Sequence, residues 1–166
     1  NQSEVPSLSV DGTKLVYTEA IRQGEPADVK VYDVASKTSF TVAGVKTRWA
    51  AYFDKNGKIL FCDSDTGVIK SMDADGSNIA TFASPEATYM FDIFYVSPDR
   101  EKIIAVEYRN LTYDYYTGHL ERLVLFSSNG ARLGATPEYL GEWNHLTWKE
   151  DSSRFFYYFH IFNVEG

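Results

Sequence analysis

The sequence predicts an all-β fold made of repeated antiparallel meanders, and three observations support this prediction. Short apolar runs alternate with tight-turn sequences along the 166 residues. Aromatic residues make up 16% of the chain, which favours twisted sheets over helix bundles. Hairpin-turn sequences also recur at nearly regular intervals, so one structural unit is used several times.

The interval between these turns indicates the kind of unit. The first hairpin turns centre on Asp11, Asn56, Asp99 and Asp151, which lie 45, 43 and 52 residues apart. Repeats of about 40–45 residues with four short strands are typical of β-propeller blades. A four-stranded meander has two apolar faces, and blades that pack face to face bury both. We therefore predict a partial β-propeller of about three and a half four-stranded antiparallel blades in a single domain.

The first two predicted blades span residues 6–44 and 45–84. In the first, the turn at Asp11 and Gly12 precedes an alternating strand, a loop with Gly24 and Pro26 separates it from the next strand, and a fourth strand ends near residue 44. In the second, an aromatic strand leads to the Asn56 turn, and two further strands are divided by turn sequences at 63–67 and 75–76.

The third and fourth predicted blades span residues 89–136 and, incompletely, 140–166. Strands are expected at 90–96, 102–108, 122–126 and, weakly, 131–135, followed by a hairpin around Asp151. A polar and aromatic insertion at 109–121 lengthens the third interval and carries Tyr113, Tyr115 and Tyr116. It is either a lid or a partner-binding finger over the propeller mouth, or a surface loop without a role.

Composition and charge limit the partners. The net charge of −7 argues against nucleic acid and anionic membranes as main partners. No apolar run is long enough to span a bilayer. The single cysteine, Cys62, excludes an internal disulfide. Because propellers typically have at least about four blades, we expect further blades of the same chain, or a second copy, to close the ring.

The predicted blades resemble the TolB-type, WD-like propeller repeat. The segments SVDGTKLVYTEA, DKNGKILFCDSDTGVIKSMDADGSN and SPDREKIIAVEY are similar to its Ser-Pro-Asp-Gly strand and its Asp-Ala-Asp-Gly hairpin. The resemblance implies a propeller scaffold of the kind found in periplasmic proteins, peptidase propeller domains and polysaccharide lyases. It therefore implies a periplasmic or secreted location, but a fold shared so widely does not fix an activity.

One mouth of the propeller is the expected ligand face, because the loop entering the first strand of each blade lies there. The residues at these positions suit a polar or sugar-like ligand, since Trp stacks on sugar rings and Arg binds carboxylates; they are Arg48, Trp49, Asp92, Trp143, Asn144 and His145. The alternative is structural: both Trp residues belong to the blade core and Arg48 pairs with a carboxylate of its blade.

Two histidines flank the last hairpin. His145 and His160 could form a general-base or metal site, or could be ordinary strand residues. No Gly-x-Ser-x-Gly elbow, phosphate-binding loop or dinucleotide fingerprint occurs in the sequence.

The last two blades also resemble the corresponding part of oligogalacturonate lyases, which cleave pectin fragments by β-elimination with a manganese site. The segments that carry the likeness are IIAVEYRN, ERLVLFSSNGARLG, EWNHLTW and RFFYYFH. By this likeness His145 would be a base or substrate contact and His160 a metal-site residue. Here His160 is followed by Ile161 and Phe162 rather than Glu-Gly-Pro, a departure from the motif of that family.

The sequence therefore favours one function and leaves one alternative. We expect an extracytoplasmic propeller module, without a cofactor, that binds a protein or oligosaccharide ligand at its mouth. The alternative is the N-terminal part of a polysaccharide lyase of the oligogalacturonate lyase kind, with manganese as cofactor.

Overall fold

The computed structural model describes residues 6–19, 25–113, 116–140, 146–157 and 160–163. Within these ranges every regular element is a β-strand, so the all-β prediction is confirmed. No helix that could span a membrane occurs in the described part of the chain. The chain divides into two compact units, Asn1–Ile93 and Phe94–Gly166.

The first unit is a seven-stranded antiparallel meander in which each strand pairs with the next one in the sequence. Its strands are β1 (Ser7–Leu8), β2 (Lys14–Glu19), β3 (Ala27–Asp33), β4 (Thr38–Phe53), β5 (Ile59–Asp63), β6 (Ile69–Met72) and β7 (Ala80–Ala83).

The core of this unit follows from the alternation of apolar residues along its strands. Val29 and Val31 of β3 are fully buried, whereas Lys30 between them points to the partly exposed face. Residues 59–62 of β5 are all buried, as expected for a central strand covered on both faces. The core cluster comprises Val16, Val29, Val31, Val42, Val45, Ala51, Phe53, Ile59, Phe61 and Met72.

The structure differs from the prediction around residue 44. The predicted last strand of the first blade and first strand of the second are one continuous strand, β4, which pairs first with β3 and then with β5. Gly44 adopts a positive φ of 72° inside it, and Val45 and Thr47 beyond it are buried. The connection therefore stays extended because its side chains contribute to the core.

The second unit contains two smaller sheets. Strand β8 (Met90–Val96) crosses the boundary between the units and lies at one edge of a sheet of order β11-β10-β9-β8. The other strands are β9 (Lys102–Tyr113), β10 (Tyr116–Ser127), β11 (Arg132–Ala135) and β12 (Tyr139–Leu140), which pairs with β10, followed by a separate sheet of β13 (Leu146–Trp148), β14 (Arg154–Tyr157) and β15 (His160–Asn163).

The insertion at 109–121 is not an irregular loop. Strands β9 and β10 continue through it in one unbroken antiparallel register, from Lys102 opposite Ser127 to Tyr113 opposite Tyr116. The polar residues of this segment favour a loop in the sequence, but antiparallel strand pairs also accommodate polar residues. The surface-loop alternative is therefore replaced by a long β-hairpin.

The four repeat turns share one geometry, which confirms the predicted spacing. The fourth residue of each turn has a positive φ: 71° at Gly12, 77° at Gly57, 60° at Arg100 and 59° at Ser152. The amide of each donates to the carbonyl three residues earlier, over 3.0, 3.3, 2.8 and 2.9 Å respectively. The repeat is thus a property of the backbone and not only of the sequence.

Candidate functional site

A β-bulge in β4 forms the centre of the candidate site. Thr47 pairs with Asp63 and Ala51 pairs with Phe61, so residues 48–50 of β4 lie opposite the single residue Cys62 of β5. The buried Thr47 hydroxyl donates to the carbonyl oxygen of Ala50 at 3.2 Å and closes the bulge. Bulges of this kind redirect side chains and occur often beside functional sites.

The bulge brings two of the predicted ligand residues together. The indole Nε1 of Trp49 donates to the Oδ1 of Asp92 at 3.1 Å. Asp92 is only 7% exposed, while Trp49 and Arg48 are half-buried. The buried carboxylate of Asp92 is therefore oriented by the half-buried side chain of Trp49.

The third side of the site is formed by Cys62, which is 1% exposed. Its thiol donates to the carbonyl oxygen of Phe91 at 3.4 Å. Burial raises the pKa of the thiol to about 12, against the opposing charge of Arg48 and with a smaller contribution from Asp92. Cys62 is therefore a neutral thiol at physiological pH and not a nucleophile. The charges of Arg48 and Asp92 both act on this thiol.

The turn after β5 holds the segment that carries Asp92. Gly67 has a φ of +64°, and a Cβ at this position would come within 2.9 Å of the Cβ of Met90. The amide of Phe91 donates to the Gly67 carbonyl oxygen at 3.0 Å. Only glycine fits this conformation and this close approach, so residues 90–92 are held against the turn that follows β5.

The same turn is stabilised by Asp63. Burial raises the pKa of its carboxyl, but the hydrogen bonds from Lys70 (2.7 Å) and Thr66 outweigh burial and lower the pKa to about 2. The carboxylate also accepts hydrogen bonds from the hydroxyl and the amide of Thr66. The turn after β5, next to the site, is therefore held by hydrogen bonds to a charged carboxylate.

Together these residues offer three kinds of interaction. Arg48 supplies a cation with planar donor geometry, Trp49 an aromatic face, and Asp92 a carboxylate that is already oriented by a hydrogen bond. This combination suits recognition of a polar ligand with a ring or a hydrogen-bonding edge.

The other predicted site residues belong to the second unit. Trp143, Asn144, His145 and Tyr115 lie outside the described residues. Tyr113 and Tyr116 face each other in the last described pair of the β9–β10 hairpin, and His160 pairs with Tyr157 in the last sheet. The side chains of these three lie outside the described part of the structure.

Sequence reasoning missed the roles of Thr47 and Cys62. The bulge has no signal in the sequence, because residues 47–53 read as one regular aromatic strand. Cys62 lies in an apolar run and reads as an ordinary core residue.

It also missed a buried ionic cluster in the second unit. Glu107 is fully buried. It accepts hydrogen bonds from Arg122 at 2.7 Å and from Arg132 at 3.0 Å. Arg122 lies directly opposite Glu107 in the β9–β10 register, a cross-strand pairing that can be found only once the register of the hairpin is known.

Among the described residues, no group of three or more His, Cys, Asp or Glu side chains lies close enough to hold a metal ion. The histidines that the manganese prediction requires, His145 and His160, are not among the side chains described. The manganese site therefore stays a prediction.

Comparison with known proteins gives the fold. No protein-family model matches the chain, and no curated protein matches it. Several solved structures, in contrast, superimpose on the chain. A putative TolB from Agrobacterium tumefaciens superimposes with a TM-score of 0.61 at 19% identity, over 85% of this chain and 52% of that chain. An oligogalacturonate lyase in complex with manganese gives a TM-score of 0.60 at 12% identity, over 92% and 45%.

A third similar structure is prolyl oligopeptidase B from Galerina marginata, with a TM-score of 0.64 at 15% identity, over 92% of this chain and 22% of that chain. The chain thus spans about half the length of the TolB-like structure. It spans a smaller share of the lyase and of the peptidase. The fold is that of a partial β-propeller, as the repeat spacing predicts. Identities this low show the fold alone.

Proposed function

We propose that this chain is a propeller module that binds a protein or glycan ligand through the Arg48 and Trp49 bulge. The observation that supports it is the bulge in β4, which carries Arg48 and Trp49 side by side and lets the Trp49 indole donate to the Asp92 carboxylate of β8 at 3.1 Å. Bulges are over-represented beside functional sites, where they redirect side chains. Trp and Arg are also enriched at the positions that contribute most of the binding energy in protein interfaces.

The test is binding to a panel of neutral and uronic-acid oligosaccharides, measured by titration calorimetry. We expect Arg48→Ala and Trp49→Ala each to weaken the affinity for any bound member by about tenfold or more. Trp49→Phe separates the two roles of the indole, since it keeps an aromatic face and removes the hydrogen bond to Asp92. Arg154→Ala, at an exposed position of β14, is the matched control and should bind like the unchanged protein.

A protein ligand is tested with a photo-crosslinking residue at position 49. Crosslinks that depend on Arg48 would support a protein ligand. If the panel shows no binding and the crosslinks persist unchanged in Arg48→Ala, the bulge is structural and the proposal fails. Removing the residues of the β9–β10 hairpin tip, 113–116, tests whether the finger contributes to the same binding.

The proposed setting is periplasmic or secreted, and it rests on the resemblance of the blades to the TolB-type repeat. Cell fractionation of the native host, with the chain followed by antibody, tests it. Recovery with cytosolic markers would contradict this part of the proposal.

The second candidate function is a polysaccharide lyase, supported by the resemblance of the segments EWNHLTW and RFFYYFH to oligogalacturonate lyases. The side chains it would use, those of His145 and His160, lie outside the described part of the structure. A full-length protein that releases unsaturated products from oligogalacturonate with manganese, and loses this activity in His145→Ala, would support the lyase. An inactive full-length protein would exclude it.

A further inference from the structure

Two hairpin turns of the chain contain Asn followed by Gly, at Asn56 and at Asn129. Both Asn side chains are exposed. The Gly that follows has a positive φ in both turns, 77° at Gly57 and 83° at Gly130. A Gly amide has no side chain to hinder its attack on the preceding carboxamide, so both turns have the local sequence that favours loss of the amide.

We propose that Asn56 is a site of spontaneous deamidation in the folded protein and that Asn129 is protected. In this reaction the amide nitrogen of Gly57 attacks the Cγ of Asn56, a nitrogen–carbon bond forms, and the Cγ–Nδ2 bond breaks with release of ammonia. Solvent water then opens the cyclic imide at either carbonyl, giving aspartate or isoaspartate. No oxidant or cofactor takes part.

The protection of Asn129 comes from its hydrogen bonds. Its Oδ1 accepts from the hydroxyl of Ser127 at 2.5 Å and from the amide of Ala131 at 3.2 Å. The Gly130 amide, which would have to attack, donates to the Ser127 carbonyl oxygen at 3.0 Å. Both the carboxamide and the nucleophile are therefore held in a non-reactive arrangement.

The Asn56 turn holds the same groups more weakly. Its carboxamide makes one long contact, from Nδ2 to the Oδ2 of Asp54 at 3.5 Å. The Gly57 amide donates to the Asp54 carbonyl oxygen at 3.3 Å. The acceptor that fixes this turn is Asp54, whose Oδ1 receives the backbone amides of Asn56 and Lys58 at 2.8 Å each. The turn thus stays in place without using the Asn56 side chain.

The product changes a defined surface. Asn56 and Gly57 line a groove of about 330 Å³ between this turn and the Asp11 turn of the preceding repeat. A carboxylate at position 56 would replace the donor that faces Asp54, whose side chain is 3% exposed. Two neighbouring carboxylates repel each other. The modification therefore adds negative charge to the groove and destabilises the Asn56 turn that lines it. Isoaspartate would also lengthen the turn backbone.

The experiment is peptide mapping by mass spectrometry of the intact protein held at mildly alkaline pH, with samples taken over time. We expect Asn56 to convert on the order of tenfold faster than Asn129, since Asn129 must first give up its hydrogen bonds. The same chain in concentrated urea should convert both sites at similar rates, because the local sequences are equivalent. Equal rates in the folded protein, or faster conversion of Asn129, would overturn the proposal.

A pair of variants tests the consequence. Asn56→Asp should lower the thermal midpoint, because it places a carboxylate beside Asp54. Asn129→Asp is the matched control and should leave the midpoint nearly unchanged, since its Oδ1 remains an acceptor, as the Asp99 Oδ1 is for Ser97 and Glu101. An equal fall of the thermal midpoint in both variants would show that repulsion by Asp54 does not destabilise the modified Asn56 turn.

Discussion

At the scale of single residues, the repeat depends on one backbone conformation. Two of the four repeat turns place Gly at the left-handed position, and two place Arg100 and Ser152 there. Left-handed backbone costs a residue with a Cβ about 1–2 kcal/mol, so the last two turns need compensation. In the second unit the hydroxyl of Ser152 supplies part of it, since it accepts the amide of Asp99 at 3.0 Å.

Gly67 should be harder to replace than Gly12, although both have a positive φ. We expect Gly12→Ala to lower the free energy of unfolding by about 1 kcal/mol, because φ is +71° but the space around it is open. Gly67→Ala adds the overlap with Met90 and should cost about 1–3 kcal/mol more. Urea unfolding of both variants measures the difference. Equal losses would mean that residue 90 moves away freely.

Asp63 should govern part of the acid sensitivity. Its pKa lies near 2 in the folded chain against an ordinary value of 3.8. A lowered folded pKa gives stability that is complete above the ordinary value and is lost as the pH falls towards the folded one. The free energy of unfolding should therefore decrease between about pH 4 and about pH 2, and this decrease should be smaller in Asp63→Asn.

The control for that measurement is Asp65→Asn. Asp65 is exposed and accepts a long hydrogen bond, 3.4 Å, from Ser64. Its variant should follow the unchanged protein across the same pH range. If Asp63→Asn also follows it, the pairing of Asp63 with Lys70 does not contribute to acid stability.

At the scale of elements, the β9–β10 hairpin is defined by its buried charges. Breaking a buried ion pair by removing one partner costs about 3–5 kcal/mol. Glu107→Gln keeps the shape and removes the charge that faces Arg122 and Arg132, so we expect a loss in this range by urea unfolding. Glu138→Gln is the matched control.

Glu138 also pairs with an arginine, because both of its oxygens accept from Arg109 at 3.0 and 3.1 Å. Both side chains of that pair are about one-third exposed, however, and exposed pairs contribute about 0–1 kcal/mol. A small loss at Glu107, comparable to that at Glu138, would show that water reaches the buried cluster.

Some of these elements could be predicted from the sequence, and others could not. The turns could be predicted because Asp, Asn and Gly at fixed offsets determine local backbone geometry. The hairpin at 109–121 could not, since polar residues fit a solvated strand pair as well as a loop. The bulge at 48–50 escaped prediction because its register depends on how β5 packs in the core, and the residues that form it alternate like any strand.

The candidate site divides in the same way. Arg48, Trp49 and Asp92 could be named from their places at the starts of two predicted blades. The hydrogen bond between Trp49 and Asp92 required the fold, because these residues are 43 positions apart in the sequence. The position of Cys62 also required it, since its partner Phe91 lies 29 residues away.

At the scale of the whole molecule, the first unit holds its own core. All ten residues of the main core cluster lie between Val16 and Met72. We therefore expect a chain of residues 6–93 to fold by itself and to unfold cooperatively in urea, with a far-ultraviolet spectrum typical of β-sheet. A spectrum of unfolded chain would show that the seven-stranded sheet needs the rest of the protein.

The place of Cys62 has a consequence for how the site can be studied. Its thiol lies beneath the bulge and reacts with a reagent only when the bulge opens. The labelling rate of this one thiol therefore reports the opening equilibrium of the binding region, without any ligand being known.

Thr47→Val should speed labelling by removing the hydrogen bond that closes the bulge, whereas Thr41→Val, in the exposed part of β4, should not. A bound ligand would slow labelling, so the thiol can be used to screen for the ligand itself.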